Sequence, residues 1–276
     1  MEAFICSTCG VQYEPAERPA AKCLVCTEER QYVLPTGQNW TTLPSVQIRY
    51  NNAWRELEQN LFSITTVPQF AIGQRALLVR TPHGNILWDC ISLIDRATIA
   101  LIEGLGGLKG IAISHPHYYS TMVEWSRAFG GIPVYLHGLD RKWILRDDPC
   151  IDRWEGQTKE ILPGVTLVCV SGHFPGGTVL HWSGGSSGKG SLLSGDVVQV
   201  VKDGKSVSFM WSYPNLIPLS GPRVEAIIDV LKPFGFECVH GAFENCSIFS
   251  KGKEFVERSA DRYLKMIRGD GTYEMQ

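Results

Sequence analysis

The chain has 276 residues, 44% of them hydrophobic and 20% charged, with a formal net charge of −2. That is enough apolar material for one large domain with a small module beside it, and it lacks the basic excess through which nucleic acid is held. No apolar run approaches the ~18 residues of a membrane-spanning helix, and the opening MEAFICSTCG has neither the basic start nor the apolar stretch of a secretory signal.

Nine cysteines are an odd number, and their spacing does not suggest a disulfide scaffold. Four form two tight pairs, Cys6-x-x-Cys9 and Cys23-x-x-Cys26, with 13 residues between them. Two such knuckles can close a tetrahedral four-sulfur site, and the polar segment between them cannot fold on a core of its own, so metal would supply its folding free energy. Residues 1–35 therefore read as a zinc ribbon of the rubredoxin-like type, structural or open to a protein partner. A redox pair would need a single CxxC opening a helix after a strand. VLPTGQNWTTL supplies a turn-rich linker, and 36–276 is the main domain.

In that domain RALLVRTPHGNILWDC reads as a β-hairpin turning at Pro82–Asn85. LIDRATIALIEGLGGLKG has helical spacing and ends in glycines. GIAIS is a short buried strand, STMVEWSRAFG a helix, IPVYLHG a strand, and VTLVCVSGH a strand running into a histidine. GTVLHW and SLLSGDVV form a second hairpin across GGSSGKGS, which fails as a phosphate loop because Gly190 follows Lys189. PRVEAIIDVLKPF is a helix, FECVHGA a late strand, and GKEFVERSADRYLKMI the last helix. Hairpins followed by alternating strands and helices predict an α/β sandwich with helices outside two sheets.

The polar residues that stand out sit at strand ends. Asp89 follows NILW, His115 and His117 follow GIAIS, His173 follows VTLVCVSG, Asp196 follows SLLSG, and His240 ends FECVH. Residues at successive strand ends of a layered α/β fold gather along one edge, where loops hold a ligand on a rigid base. Together, WD at Asp89, SHPHYYS at 114–120, SGHFPGGTVLHW at 171–182, LLSGD at 192–196 and VHG at 239–241 resemble the metallo-β-lactamase-fold hydrolases, the family that includes glyoxalase II. The resemblance spans about residues 70–241. It implies a four-layer αββα sandwich, with His115, His117 and His173 as the ligands of a first metal. It also implies Asp196 as a bridging ligand and His240 as a ligand of a second metal. Tyr119 and Ser120 stand where the full motif has an aspartate and a histidine, so the second site is stripped to Asp196 and His240 and a single metal is expected.

The chemistry of the residues points the same way. Three imidazoles and a carboxylate suit zinc with an open position for water, whose pKa zinc lowers to roughly 7, giving a hydroxide nucleophile. Asp89 is expected to orient a ligand histidine. Tyr119 cannot accept a proton at neutral pH, which leaves Asp196 as the candidate base among the candidate catalytic residues Asp196, Asp89 and Tyr119, although the same carboxylate cannot bind metal tightly and act as a free base at once. The aromatic FMWSYPNLIP segment falls between two motif strands, where a pocket wall is expected, with Met210, Trp211 and Tyr213 as its lining. The expectation is a cytoplasmic protein, with no membrane or nucleic-acid partner, that hydrolyses a small ester, thioester, lactone or similar substrate at a mononuclear zinc centre and carries a second zinc in the ribbon. The same donors also suit iron, which gives a non-haem iron oxidoreductase as the alternative. A non-catalytic, metal-stabilised binding protein is a third.

Overall fold

A computed structural model describes residues 1–269; the last seven residues of the expected main domain lie outside the described residues. A seven-stranded sheet runs in the order Asn51–Glu58, Leu61–Val67, Arg75–Thr81, Gly84–Trp88, Gly110–Ala112, Val134–His137, Ile151–Trp154. Its first four strands are antiparallel and its last three join in parallel. A six-stranded sheet runs Thr158–Leu162, Val165–Cys169, Thr178–Trp182, Ser191–Gly195, Cys238–Gly241, Ser247–Ile248.

The two-residue period of a strand decides what packs where. Along Arg75–Thr81, Leu77 and Val79 point to one face and Ala76 and Leu78 to the other, and all four are buried. The first pair joins Ile86, Trp88, Leu167, Leu180 and Leu193 in a core between the sheets. The second joins Leu87, Ile111, Ile102 and Trp125 in a core under the helices Arg96–Gly104 and Met122–Ala128. On the far side, Val168, Val179, Leu192 and Val239 pack against Val224, Ile227 and Val256 of the helices Gly221–Leu231 and Gly252–Arg268. Helix, sheet, sheet, helix is the layer order expected. Arg96–Gly104 starts later than the helical spacing suggests, because Asp95 caps it by accepting from Thr98 N at 2.7 Å and leaves Leu93 and Ile94 outside. The hairpin Asn51–Val67 had no clear sequence signature, since its first strand is an edge with few buried side chains.

Two polar ties cross between the sheets. Arg75, buried and pushed down to about 10 by that burial, donates to Gly241 O at 2.9 Å, Cys246 O at 3.0 Å and Ser247 Oγ at 2.9 Å. Glu58 accepts from Ser186 N and Ser191 Oγ, both at 2.6 Å, and pairs with His240 Nε2 at 3.1 Å.

The N-terminal module is sewn onto the main domain. Its strand Ile5–Cys6 pairs with Trp40–Thr41, past the boundary expected at residue 36. Val11, Val25 and the four cysteines are buried in the same cluster as Ile91, Tyr118 and Met122. Gln12 N donates to Ser120 O at 3.1 Å, Glu14 N to Leu145 O at 3.0 Å, and Ser92 Oγ to Gly10 O at 2.8 Å. Gly10, at φ +82°, closes the first knuckle with Gly10 N on Cys6 O, and a Cβ there would sit 2.5 Å from Ser92 Oγ. Both the turn and the close approach require glycine.

Candidate functional site

The 3₁₀ turn Pro116–Tyr118 follows the strand Gly110–Ala112 and swings His115 and His117 to the sheet edge. His173 arrives from the loop after Val165–Cys169, and Asp196 from the residue after Ser191–Gly195. All four residues are buried, and their ligating atoms lie within 4.8 Å of one another. His115 Nε2 is 4.0 Å from Asp196 Oδ2, and His117 Nδ1 is 3.4 Å from His173 Nε2.

The surroundings prepare these atoms to give up lone pairs. His173 Nδ1 donates to Met210 O at 3.1 Å, which leaves Nε2 as the acceptor nitrogen facing His117. His115 Nδ1 meets Ser114 Oγ at 2.9 Å, and Ser114 N donates to Asp89 Oδ1 at 2.8 Å. Asp89 thus orients the imidazole through Ser114 rather than directly. Burial holds His173 down to about 4 and, with the mutual repulsion of the imidazoles and the nearby Arg30 cation, holds His115 and His117 well below the usual histidine range. Burial also raises Asp196 to about 7. His115 Nε2, His117 Nε2 and Asp196 Oδ1 are buried with no hydrogen-bond partner. Unpartnered buried polar atoms are costly, and three neutral imidazoles beside a carboxylate without a countercharge are what a divalent cation would complete. The donor set fits a metal.

The four-cysteine group fits one as well. Cys6 Sγ lies 3.6 Å from Cys26 Sγ and Cys9 Sγ 3.6 Å from Cys23 Sγ, all four sulfurs falling within 4.8 Å. Gln38 reaches in from beyond the expected boundary, donating to Cys6 Sγ and accepting from Cys23 N, each at 3.1 Å.

Two expectations are corrected. His240 does not join the cluster. It lies inside the strand Cys238–Gly241 opposite Leu193, so its side chain faces the interior between the sheets, where Nδ1 meets Ser247 Oγ at 3.0 Å and Nε2 meets Glu58. The residue that reaches the cavity from that end of the sheet is Phe243. Tyr119 is likewise absent from the cluster, its side chain packing toward Val11 and Gln12 of the N-terminal module. The preceding residue is the one that faces the site: Tyr118 packs on His115 with ring centroids 4.4 Å apart. Its buried hydroxyl makes no well-formed hydrogen bond but lies beside the carboxylate of Asp196, and burial together with that charge raises it well above its ordinary value. Ser120 is committed elsewhere, accepting from Gln74 Nε2 at 3.0 Å and donating to Cys90 O at 3.2 Å.

Above the cluster opens a cavity of about 570 Å³ whose lining includes His117, His173, Asp196, Tyr213 and Phe243. Of the three aromatic-segment candidates Tyr213 lines it, while Met210 and Trp211 line adjoining clefts. Gln31 and Tyr32 of the N-terminal module line the cavity too, a contribution the sequence reading missed. Their segment is pinned by Ser212 Oγ donating to Arg30 O at 3.0 Å and Asn215 Nδ2 to Glu29 O at 2.7 Å. The Arg30 guanidinium lies 4.5 Å from the ring centre of Phe174, which packs on the histidines, and 4.6 Å from that of Trp211.

The chain is 46% identical over 272 residues, 98% of each chain, to the protein YmaE of Bacillus subtilis (strain 168). The two are members of one family. No family model matches the sequence. Among solved structures the chain superposes on VMB-1 with a TM-score of 0.58 at 15% identity, covering 79% of this chain and 98% of that one. It superposes on the metallo-β-lactamase FIM-1 from Pseudomonas aeruginosa, in its mono-zinc form, at 0.56 and 14%, covering 77% and 96%. DIM-1 metallo-β-lactamase gives 0.56 and 14%, covering 76% and 100%. This chain thus has the metallo-β-lactamase fold, with a cysteine module at its N-terminus. Among the described residues no helix is long and apolar enough to cross a membrane.

Proposed function

We propose that this protein is a hydrolase of a small ester, thioester, lactone or similar acyl compound, working with one zinc ion at the histidine cluster and carrying a structural zinc in the cysteine module. The observation that supports it is the convergence of His115, His117, His173 and Asp196 from three separate loops, with three of their polar atoms buried and unpartnered, at the floor of a cavity of about 570 Å³. A cation held there supplies a Lewis acid for the acceptor oxygen and lowers the pKa of a water.

The chain's own residues do the rest. The Met210 carbonyl fixes the His173 tautomer, and Ser114, held by Asp89, fixes the ring of His115; such partners set ligand orientation and basicity. Asp196 has two oxygens for two tasks. One lies toward His115 Nε2 within the donor set, and the other is the group assigned to take a proton from an attacking water. Phe174 and Tyr213 wall the site with rings, limiting access of bulk water to the reacting carbonyl. A single ion is favoured because Ser120 is hydrogen-bonded away, Tyr119 is turned aside and His240 is consumed by the tie between the sheets.

The test is elemental analysis beside a panel of esters, thioesters and lactones. Two zinc per chain are expected, with turnover that a chelator removes. His117→Ala should hold one zinc and lose turnover; activity persisting in that variant would refute the proposal. Iron at the cluster with oxygen consumption would move the assignment to oxidoreductase chemistry.

A further inference from the structure

The two cysteine knuckles are closed separately. Gly10 N donates to Cys6 O at 2.8 Å in the first, and Thr27 N to Cys23 O at 3.0 Å in the second. Neither bond fixes one knuckle against the other, and 13 residues separate the pairs. A four-thiolate centre needs both knuckles in place, because its sulfurs must be deprotonated and held close against their mutual repulsion. One side chain spans the gap. Gln38 Oε1 accepts from Cys23 N and Gln38 Nε2 donates to Cys6 Sγ, each at 3.1 Å. Cys23 N is a donor, so only the amide oxygen can face it. The amide nitrogen therefore faces Cys6 Sγ and, at 3.1 Å, Asn39 O, both acceptors. The residues around Gln38 are fixed as well. Ser7 N donates to Asn39 O at 3.0 Å, and Trp40 pairs with Cys6 between the strands Ile5–Cys6 and Trp40–Thr41. The Trp40 ring meets that of Tyr13 at 4.9 Å between centroids, and the Tyr13 hydroxyl accepts from Leu24 N of the second knuckle at 2.7 Å.

We infer that Gln38 is the positioning residue of the cysteine metal centre: its carboxamide braces one knuckle against the other, and its N–H offsets charge on the Cys6 sulfur. This rests on the reading of the cysteine module as a metal site and is independent of the chemistry at the histidines. Four thiolates around a divalent ion leave a surplus of negative charge, and the four cysteines are buried. An N–H aimed at one sulfur disperses part of that surplus and fixes the direction of its lone pairs. Because the acceptor half of the same amide holds Cys23 N, the two knuckles keep their spacing before a metal arrives. The segment that looks like a linker in sequence is thus part of the metal site, and the module is complete only with Gln38–Thr41.

The experiment uses the full chain. Zinc affinities are read by competition against a chromophoric chelator, and cobalt(II) replaces zinc for spectra, where a thiolate-to-metal band marks the cysteine centre. Gln38→Leu removes both bonds. Gln38→Glu keeps an oxygen for Cys23 N but turns a carboxylate, without an N–H, toward Cys6 Sγ. Both variants should weaken the cysteine centre by about 10- to 100-fold and leave the histidine centre at its wild-type affinity. Both should also move the thiolate-to-cobalt band to lower energy, which the loss of a merely packing side chain would not do. Two wild-type affinities, or an unmoved band in both variants, would overturn the inference. Weakening in Gln38→Leu alone would put the effect in the Cys23 N contact and overturn the role given to the Cys6 bond. If Gln38→Leu fails to fold, Gln38→Glu decides by the same two readings. A wild-type chain that holds metal only at the histidines discards the metal reading of the module and the inference with it. A wild-type chain with both metals and indifferent variants discards Gln38 alone. If the cysteines hold iron, a reduction potential lowered in Gln38→Leu upholds the positioning role, and an unmoved potential overturns it.

Discussion

Gly195→Ala should damage the histidine cluster without touching any ligand. Gly195 ends the strand that delivers Asp196 and has φ +53°, a conformation costing an L-residue about 1–2 kcal/mol. An added Cβ would lie 2.5 Å from Ser114 Oγ and 2.7 Å from Ser114 Cβ. Ordinary contact begins near 3.4 Å, so Ser114 must retreat by about 0.9 Å, the difference between 3.4 and 2.5 Å. Ser114 cannot retreat freely, since it bonds Asp89 Oδ1 at 2.8 Å and His115 Nδ1 at 2.9 Å. Crowding a packed interior costs about 1–3 kcal/mol more, and loss of a partner that orients a ligand lowers metal affinity about 10- to 100-fold. Zinc titration against a competing chelator should therefore show one weakened site and one unchanged, with thermal unfolding shifted down by several degrees. A variant with two wild-type affinities would refute the role assigned to the Asp89–Ser114–His115 chain.

Three further outcomes follow from the same geometry. Tyr118→Phe removes a buried hydroxyl that makes no well-formed hydrogen bond and sits beside Asp196, so stability by urea denaturation should change by less than about 1 kcal/mol; a loss above about 2 kcal/mol would mean that the hydroxyl is firmly bonded. Glu58→Gln should cost about 1–3 kcal/mol at neutral pH. Burial alone would raise Glu58, but His240, Ser191 and Ser186 together overcome it and hold the carboxyl below its ordinary value of 4.5. Its contribution is complete above that ordinary value and is lost as pH falls through the lower folded one, so the gap between wild type and variant should close in acid; a gap independent of pH would contradict the tie. Cys23→Ser should release the metal proposed for the module and, because Val11 and Val25 are buried against the main domain, lower the melting temperature of the whole chain; an unchanged melting temperature would show the module folding independently.

The sequence carried the four cluster residues clearly because each follows a short apolar strand, and strand ends in a layered α/β fold share an edge. Its failures have a common physical origin. The pair Tyr118–Tyr119 lies in a tight turn, where one residue of phase decides which ring faces the histidines, and no periodicity resolves one residue. His240 was read as a strand end, but pairing with Ser247 extends the sheet past it, and the two-residue period then turns its imidazole inward. Gln31 was beyond reach for a different reason. The chain from Cys26 to the linker looked like the tail of a separate module, and nothing local records that it folds back over residues 210–215. That contact depends on Asn215 and Ser212 meeting the backbone of residues 29–31, and backbone acceptors leave no mark in a sequence. The cysteine module is therefore a part of the cavity wall as much as a domain of its own, and metal at the cysteines and ligand at the histidines bear on the same short segment.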